Sequence, residues 1–147
     1  MIVSFLEGRA KQNLSPANCK TIGSEVAKMH ELTKSFKLNR QNDLSVNSWR
    51  KLFNSVKDKC ENIHKDLPKL IEENLYDVEK NWPKNLPKGI IHADLFHDNI
   101  FFIQDKFSGV IDFYFSCEDF FAFEIAICFN ALCFDGQKSN LSFNVTK

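Results

Sequence analysis

The first part of the chain alternates between apolar and polar residues at the spacing that is typical of amphipathic helices. Residues 1–8, "MIVSFLEG", predict a strand that begins at the first residue and ends at Gly8. A helix is predicted over residues 15–33, with Ser15 as its N-cap and Pro16 in its first turn. Its predicted buried face consists of Cys19, Ile22, Val26, Met29 and Leu32.

Two more amphipathic helices are predicted before the character of the sequence changes. They lie over residues 46–63 and 67–82. In the first of them, the i, i+3, i+4, i+7 spacing predicts a buried stripe of Trp49, Leu52, Phe53 and Val56. The segment "WPKNLPKG" then ends the helical part of the chain, because two prolines and a glycine interrupt a helix.

Beyond Gly89 the pattern changes to short apolar runs that are typical of strands. "GIIHAD" and "NIFFI" flank a polar octet, "QDKFSG" indicates a turn, and "GVIDFYF" is a third run. From about Glu118, "EDFFAFEIAICFNALCF" is apolar nearly all round and predicts a buried helix. Glu124 and Asn130 make this segment a poor candidate for a membrane span. Helices followed by paired short strands predict an α+β fold that is mostly helical, with a small β-hairpin.

The charged residues are distributed unevenly along the chain. The net charge is zero, which argues against nucleic acid or an anionic membrane as a partner. Residues 1–88 carry 16 Lys/Arg and 11 Asp/Glu, whereas residues 89–147 carry 3 and 8, together with 12 of the 15 phenylalanines. An acidic, Phe-rich region suits a cation or an amine better than a free phosphate. Five cysteines without a CxxC pair favour reduced thiols, and so a cytoplasmic protein, over a set of disulfides.

The octet "HADLFHDN", residues 92–99, places polar side chains between two apolar runs. The spacing His92-x-Asp94-x₄-Asn99 is followed, after the predicted turn, by Asp112, so two strand-end loops would bring these residues to one edge of a small sheet. Phosphoryl transfer requires a carboxylate that accepts the proton of the attacking hydroxyl, and oxygen ligands for Mg²⁺. Asp94 fits the first role, and Asn99 with Asp112 fit the second. The protein-kinase pattern H-R-D-x₄-N followed by D-F-G has the same logic.

The same residues carry a resemblance to a known family. "HADLFHDNIFF" followed by "GVIDFYF" resembles the motif of the aminoglycoside phosphotransferase and choline kinase-like superfamily. Within it, the Leu-Phe pair of the octet and "IDFYFSCEDFFAFEIAICFNALCFD" are similar to the bacterial homoserine kinase family. "IVSFLEGR" and "SPANCKTIGSEVAKMHELT" are similar to that family's interlobe segment and to the helix after it. The similarity therefore extends over most of the chain.

The resemblance implies a fold and a division of the chain. Residues 1–147 would form part of a phosphotransferase domain, mainly the C-terminal lobe of a protein kinase-like fold. Residues 1–8 would be the interlobe strand or hinge, residues 15–82 the helical part, and residues 89–135 the catalytic loop, the metal-binding loop and the buried helix. The family's N-terminal lobe, with its nucleotide-binding Lys, and its last helices have no counterpart in this sequence. The isolated chain is therefore expected to be inactive.

The resemblance also implies roles for individual residues, with ATP as the phosphoryl donor. Asp94 would be the catalytic base, and Asn99 and Asp112 would be the ligands of Mg²⁺. Backbone groups of Ser4 and Leu6 would contact adenine, as the hinge does in kinase-like folds.

Other polar residues near the motif have a supporting role or more than one interpretation. His92 is expected to support the loop through bonds to backbone rather than to take part in catalysis. Glu124 would brace the loop, at a position where the superfamily usually has Asp in a D-[LI]-A triplet. Glu118 and Asp119 would contact the amino group of the substrate or, alternatively, cap the N-terminus of the final helix. His30 is predicted to be a helix-end or core residue and not a ligand.

Two classes of function fit this sequence. The first is an ATP-dependent kinase of a small molecule that phosphorylates the hydroxyl of L-homoserine, a step towards threonine. The alternative acceptors are an aminoglycoside, choline or another amino alcohol. The second class is a non-catalytic remnant of such an enzyme that binds at most a metal. The sequence leaves the oligomeric state open.

Overall fold

The structure, a computed structural model, describes residues 4–37 and 40–133. The chain divides into two units, one of Met1–Gln41 with Pro87–Lys147 and one of Asn42–Leu86. The helices are α1 (Pro16–Thr33), α2 (Val46–Cys60), α3 (Leu67–Asn81) and α4 (Phe121–Leu132). The strands are β1 (Arg9–Ala10), β2 (Lys88–Ile91), β3 (Ile100–Ile103), β4 (Lys106–Val110) and β5 (Cys117–Phe120). Two short 3₁₀ helices cover His97–Asn99 and Phe113–Phe115.

Helix α1 begins where the sequence predicts. The Ser15 hydroxyl accepts a hydrogen bond from the backbone N–H of Asn18 at 3.2 Å. The side-chain oxygen of Asn18 in turn accepts a bond from the backbone N–H of Ser15 at 3.1 Å. The two residues form a capping box, with Pro16 in the first turn, so the predicted N-cap is confirmed.

The buried face of α1 follows a four-residue spacing. Its buried residues are Asn18, Ile22, Val26 and His30. Ile22 and Val26 pack with Leu95, Ile100 and Phe102 in the core of the larger unit. Leu32, which the sequence placed on the buried face, is 80% exposed. It follows His30 by two residues, which turns its side chain about 200° around the helix.

Two small antiparallel sheets complete the larger unit. One has the strand order β1-β3-β4, and the other pairs β2 with β5. Strands β3 and β4 form a hairpin that turns at Gln104, whose backbone is left-handed with φ 56°. Gly8, just before β1, has φ 122°, and a Cβ at this position would lie 2.9 Å from the carbonyl oxygen of Phe102. The close approach of this segment to β3 therefore requires glycine.

The strands differ from the sequence prediction in three places. Residues 4–8 are not part of a strand, pairing begins at Arg9, and residues 1–3 of the predicted strand lie outside the described residues. The third strand lies earlier than predicted, because β4 includes the supposed turn residues and ends before Asp112. The sequence does not predict β5, since its partner β2 is distant in the chain and the local pattern shows only the helix that follows.

Helix α4 begins at Phe121 rather than near Glu118, and residue 134, the last of the predicted helix, lies outside the described residues. Its inner side contacts β2 and β5 and buries Glu124 completely. Ile125 and Phe129 are 59% and 40% exposed in the described part of the chain. The expectation of a helix buried on all sides is therefore wrong there, because an apolar sequence does not specify which side has a partner.

The unit of residues 42–86 is built from α2 and α3, which pack against each other. Its core consists of Phe53, Cys60 and Leu75, with Trp49, Leu67 and Ile71 partly buried around them. Leu52 and Val56 of the predicted stripe are 57% and 41% exposed. The buried residues of α2 recur at a spacing of seven, at Val46, Phe53 and Cys60, so the stripe is narrower than predicted.

Helices predominate, and a β-hairpin follows the octet directly, so the predicted α+β class is confirmed. In the part of the chain that the structure describes, no helix is long and apolar enough to cross a membrane.

Candidate active site

The octet forms a loop that runs from the end of β2 to the start of β3. At its beginning, Ala93 adopts a left-handed backbone with φ 66°, which is uncommon for a residue other than glycine. The backbone N–H of Ala93 donates a hydrogen bond of 2.8 Å to Oε1 of Glu124. This bond to a fully buried carboxylate holds the turn that directs the chain from His92 to Asp94.

His92 joins this loop to the segment that carries Asp112. Its ring is fully buried, and Nε2 lies 2.8 Å from the carbonyl oxygen of Ile111. The backbone N–H of Asp94 donates to Nδ1 of His92 at 3.2 Å. Because a carbonyl oxygen only accepts, Nε2 must carry the hydrogen and Nδ1 must be the acceptor. Both ring nitrogens of His92 are therefore bonded to backbone groups.

Asn99 lies at the other end of the loop and contacts Asp94 directly. The Asn99 side-chain amide donates to the carbonyl oxygen of Asp94 at 2.8 Å and to its Oδ2 atom at 3.1 Å. Asn99 is buried, whereas Asp94 is partly exposed. Because the amide nitrogen is bonded to Asp94, the Oδ1 atom of Asn99 is the one that can bind a cation.

Asp112 lies at the same end of the hairpin as Asn99. Asn99 immediately precedes β3, and its carbonyl oxygen accepts a bond of 3.0 Å from the N–H of Ile111, the residue before Asp112. Asp112 is exposed and left-handed, with φ 61°, and its Oδ1 atom accepts a bond from the N–H of Tyr114 at 3.3 Å. The structure thus brings the loop of Asp94 and Asn99 together with the loop of Asp112.

The donor atoms at this edge of the hairpin fit a hard cation. Residues 4–37 and 40–133 contain no group of three or more His, Cys, Asp or Glu side chains that could hold a metal ion. Asn99 and Asp112 offer one amide oxygen and one carboxylate. Mg²⁺ typically uses one or two such protein ligands and completes its shell with water and phosphate oxygens. The donor set is therefore of the kind found where a metal is shared with a nucleotide.

Behind the loop, Glu124 forms a second contact that the sequence does not reveal. Its Oε2 atom lies 2.9 Å from Nε2 of His30, and both side chains are buried. The His30 ring stacks on Phe121, with ring centroids 4.3 Å apart. Burial, with a smaller contribution from the charge of Glu124, raises the pKa of the neighbouring Cys128 thiol to about 12. The one sequence feature that could have indicated this contact is the position of His30, four residues after Val26 on the buried face of α1.

The segment with Ser4 and Leu6 runs beside the hairpin. The Leu6 side chain lies over Gly109, where a Cβ would come within 3.0 Å of it, and the hydroxyl of Ser108 donates to the carbonyl oxygen of Glu7. These contacts place the segment next to β4, the strand that leads to Asp112. Contact of the Ser4 and Leu6 backbone with adenine stays a prediction.

Glu118 and Asp119 lie in β5 and not at the start of α4. The N-cap of α4 is Phe120, without a side-chain cap, so the interpretation of these carboxylates as helix caps is wrong. Glu118 forms an ion pair with Lys88 across the β2–β5 sheet. Asp119 accepts a bond of 2.7 Å from the N–H of the next residue. A contact of either residue with a substrate amine stays a prediction.

Known proteins resemble this chain in sequence and in fold. Residues 1–141 match the profile of the phosphotransferase enzyme family, APH. The chain is 42% identical over 147 residues to a homoserine kinase of Mesorhizobium japonicum, of which it covers 45%. It is 48% identical over 147 residues to a homoserine kinase of Rhodopseudomonas palustris strain BisB5, of which it covers 44%. Both alignments include the whole of this chain. The chain therefore spans less than half the length of these relatives, whose covered shares are 45% and 44%.

Among solved structures, the fold is similar to that of the amicoumacin kinase hAmiN in complex with AMP-PNP, Ca²⁺ and Ami. The TM-score is 0.55 at 16% sequence identity, over 85% of this chain and 37% of that chain. At this identity the similarity concerns the fold alone. The predicted kinase-like fold is confirmed.

Proposed function

Because the chain belongs to the phosphotransferase enzyme family, we propose that the complete protein transfers the γ-phosphoryl group of ATP to the hydroxyl of L-homoserine. The observation that carries the proposal is the bond between Asn99 and Asp94 beside the loop of Asp112. A carboxylate base next to two oxygen donors for a metal is the arrangement that phosphoryl transfer to an alcohol requires. The products are ADP and O-phospho-L-homoserine.

In the proposed reaction, Asp94 orients the acceptor hydroxyl and takes its proton. The hydroxyl oxygen forms a bond to the γ-phosphorus while the bond from that phosphorus to the oxygen of ADP breaks. The amide of Asn99 holds Oδ2 of Asp94, which leaves Oδ1 to accept the proton. His92 and Glu124 do not touch the reacting atoms in this scheme and instead hold the backbone on either side of Asp94.

The metal in this proposal is Mg²⁺, held by Oδ1 of Asn99 and the carboxylate of Asp112. When bound, Mg²⁺ neutralises charge on the β- and γ-phosphates of ATP. The left-handed backbone at Asp112 is kept by the bond that its Oδ1 atom accepts from the N–H of Tyr114, which orients this carboxylate.

The choice of homoserine rests on two observations. The relatives that are 42–48% identical to this chain are named homoserine kinases. Residues 89–147 are acidic and rich in Phe, which suits a small substrate with an amino group. An aminoglycoside, choline or another amino alcohol is the alternative acceptor. The proposed compartment is the cytoplasm, in agreement with the cysteine content.

The experiment measures ADP formation by the complete protein with L-homoserine, choline and kanamycin as acceptors. We expect kcat/KM for homoserine to exceed that for either alternative by at least about tenfold, or about 1.4 kcal/mol in transition-state binding. O-methyl-L-homoserine is the matched control, since it retains the amino and carboxyl groups but lacks the hydroxyl, and it should not be phosphorylated.

The other outcomes each decide between the remaining interpretations. Preference for choline or kanamycin would remove homoserine as the acceptor and retain the kinase. Absence of ADP formation with every acceptor would support the non-catalytic interpretation and overturn the proposed function.

A further inference from the structure

The chain segment that follows Asp112 contacts an arginine from a distant part of the sequence. Arg40, which is 74 residues before Tyr114, donates a hydrogen bond from Nη1 to the carbonyl oxygen of that tyrosine. The guanidinium carbon also lies 5.7 Å from the centroid of the Tyr114 ring. The N–H of the same tyrosine is bonded to Oδ1 of Asp112. Arg40 therefore contacts the residue whose N–H orients the proposed metal ligand.

The main chain fixes Arg40 at this place. The N–H of Glu118 donates a hydrogen bond to the carbonyl oxygen of Arg40 at 2.7 Å. Gln41 forms a parallel β-bridge with Glu118, so this segment runs beside the start of β5. Arg40 and Asp112 belong to the same unit of the chain, and so does the octet. The position of the guanidinium thus rests on contacts within one unit.

Arg40 brings a positive charge to a part of the molecule that has few. Residues 89–133 contain seven Asp/Glu but a single Lys/Arg, which is Lys106. Lys106 begins β4 next to the turn of the hairpin, whereas Asp112 follows the other end of that strand. A negatively charged group beside the loop of Asp112 would therefore be bound by Arg40 rather than by Lys106.

The guanidinium of Arg40 has donors that a ligand can use. In the part of the chain that the structure describes, it contacts a carbonyl oxygen and an aromatic ring, and not a carboxylate. Lys88, by contrast, is paired with the carboxylate of Glu118. Arg40 is exposed, and its bond to the carbonyl oxygen uses one of five N–H donors. A guanidinium of this kind can bind a carboxylate through two parallel hydrogen bonds.

Of the candidate acceptors, L-homoserine has the group that fits this cation. It carries a carboxylate and an ammonium group on one carbon, and its hydroxyl is at the other end of a short chain. Choline and aminoglycosides carry positive charge but no carboxylate. Acidic residues alone would attract all three acceptors. A guanidinium beside the site attracts the acceptor that has a carboxylate and repels the purely cationic ones.

We propose that Arg40 determines the specificity of the site by binding the carboxylate of L-homoserine. Its bond to the Tyr114 carbonyl holds the guanidinium beside the loop of Asp112. With the carboxylate bound there, the hydroxyl at the other end of the substrate is directed towards Asp94. The inference rests on the proposed function, because the acceptor and the role of Asp94 are taken from it.

The probe that isolates this interaction is 3-aminopropan-1-ol, which is homoserine without its carboxylate. In the complete protein, we expect kcat/KM for L-homoserine to exceed that for 3-aminopropan-1-ol at least about tenfold, since a hydrogen-bonded charge is lost with the carboxylate. The amine and the hydroxyl are present in both compounds. The comparison therefore measures the contribution of the carboxylate alone.

Three variants identify the partner of that carboxylate. Arg40→Gln removes the positive charge but keeps an N–H donor, and Arg40→Lys keeps the charge without the planar fork. Lys65→Gln is the matched control, because Lys65 is exposed and lies in the other unit of the chain. Arg40→Lys also serves as the second variant in case Arg40→Gln does not fold.

The variants are compared by kcat/KM with the two acceptors. We expect Arg40→Gln to lower kcat/KM for L-homoserine at least about tenfold and to change that for 3-aminopropan-1-ol by less than about twofold. Arg40→Lys should give an intermediate loss with L-homoserine, and Lys65→Gln should give none. If Arg40 only supported the Tyr114 carbonyl, Arg40→Gln would lower kcat/KM equally for both acceptors, and that result would overturn the inference.

Titration calorimetry with AMP-PNP and Mg²⁺ measures acceptor binding without turnover. We expect the Kd of L-homoserine to rise at least about tenfold in Arg40→Gln. ADP formation that depends on L-homoserine, together with an unchanged acceptor ratio in Arg40→Gln, would overturn the inference and leave the proposed function intact. If no ADP forms, the proposed function fails and calorimetry still decides the role of Arg40. Absence of L-homoserine binding, or a Kd that Arg40→Gln does not change, would then overturn it.

Discussion

At the scale of single residues, two non-glycine residues of the candidate site have left-handed backbones. Ala93 has φ 66° and is held by Glu124, whereas Asp112 has φ 61° and bonds with its own side chain to the N–H of Tyr114. Aspartate tolerates this conformation because its short polar side chain can form such a local bond. The carboxylate of Asp112 therefore has two tasks in the proposed mechanism, to keep the turn and to bind the metal.

Replacement of Asp112 by Asn separates these two tasks. Asn keeps an acceptor for the N–H of Tyr114 and tolerates the left-handed backbone, but it removes the negative charge. We expect the Mg²⁺ concentration for half-maximal ADP formation to rise at least about tenfold, with a stability close to that of the unmodified protein. Asp98→Asn, at an exposed position of the neighbouring loop, is the control. An unchanged Mg²⁺ requirement would exclude Asp112 as a ligand.

The thiol of Cys128 reports on burial at its position in α4. Burial, followed by the negative charge of Glu124, raises its pKa to about 12. Thiolate is the reactive form, so at pH 8 alkylation of Cys128 by iodoacetamide should be on the order of 10³ slower than that of a free cysteine. The rate should increase as the pH rises towards 12. Peptide mapping of the alkylated protein measures this rate, with the urea-unfolded protein as the control. Equal alkylation rates in the folded and the unfolded protein would contradict a raised pKa of the Cys128 thiol.

The sequence predicts Asp94, Asn99 and Asp112 as a group because the two loops that carry them follow recognisable apolar runs. The structure brings these loops together through the bond between Ile111 and Asn99. His30 could not be assigned in the same way. Its partner is 94 residues distant, and a histidine on an apolar helix face fits a core position equally well. Long-range pairing of polar groups is not visible in local periodicity.

At the scale of elements, the sequence predicts helices more completely than strands. Helix α1 begins with a capping box, which is a local signal. Strand β5 has no such signal, because its register with β2, for example Ile91 opposite Cys117, depends on residues far apart in the chain. Strand β4 contains Ser108 and Gly109, which are typical of turns, so the sequence predicts a turn over residues 104–109 although β4 already begins at Lys106.

The cap of α1 gives a prediction for stability. Ser15→Ala removes the acceptor for the N–H of Asn18, and we expect the free energy of unfolding to fall by about 1 kcal/mol. Ser45→Ala is the matched control, because Ser45 is the N-cap of α2 but forms no side-chain cap bond. Urea denaturation of the two variants measures the difference. An equal or larger loss for Ser45→Ala would contradict the role of the Ser15 hydroxyl.

At the scale of the whole molecule, the chain spans 44–45% of the length of its homoserine kinase relatives. Kinase chemistry depends on groups that hold the β- and γ-phosphates. The resemblance implies that these groups belong to the family's N-terminal lobe. The described residues supply the proposed base and the proposed metal ligands of this chemistry.

The 147-residue chain on its own should therefore be a poor catalyst. We expect its rate of homoserine-dependent ADP formation to be at least about 10³ lower than that of the complete protein, because positioning of the phosphates supplies much of the rate. Adding the rest of the complete protein as a separate polypeptide is a useful control, since any recovery of the rate of ADP formation would show that the 147-residue chain is folded. Full activity of the chain alone would refute this expectation.

The central claim is that Asp94 is the base of a phosphoryl transfer, and kcat of Asp94→Asn in the complete protein tests it most directly. Asn preserves the size of the side chain and an acceptor for the Asn99 amide, but it cannot take the hydroxyl proton. We expect kcat with homoserine to fall by about 10² to 10⁴, with KM for ATP within about threefold, while Asp98→Asn retains kcat. A kcat of Asp94→Asn within about threefold of the unmodified protein would contradict the assignment of Asp94 as the base.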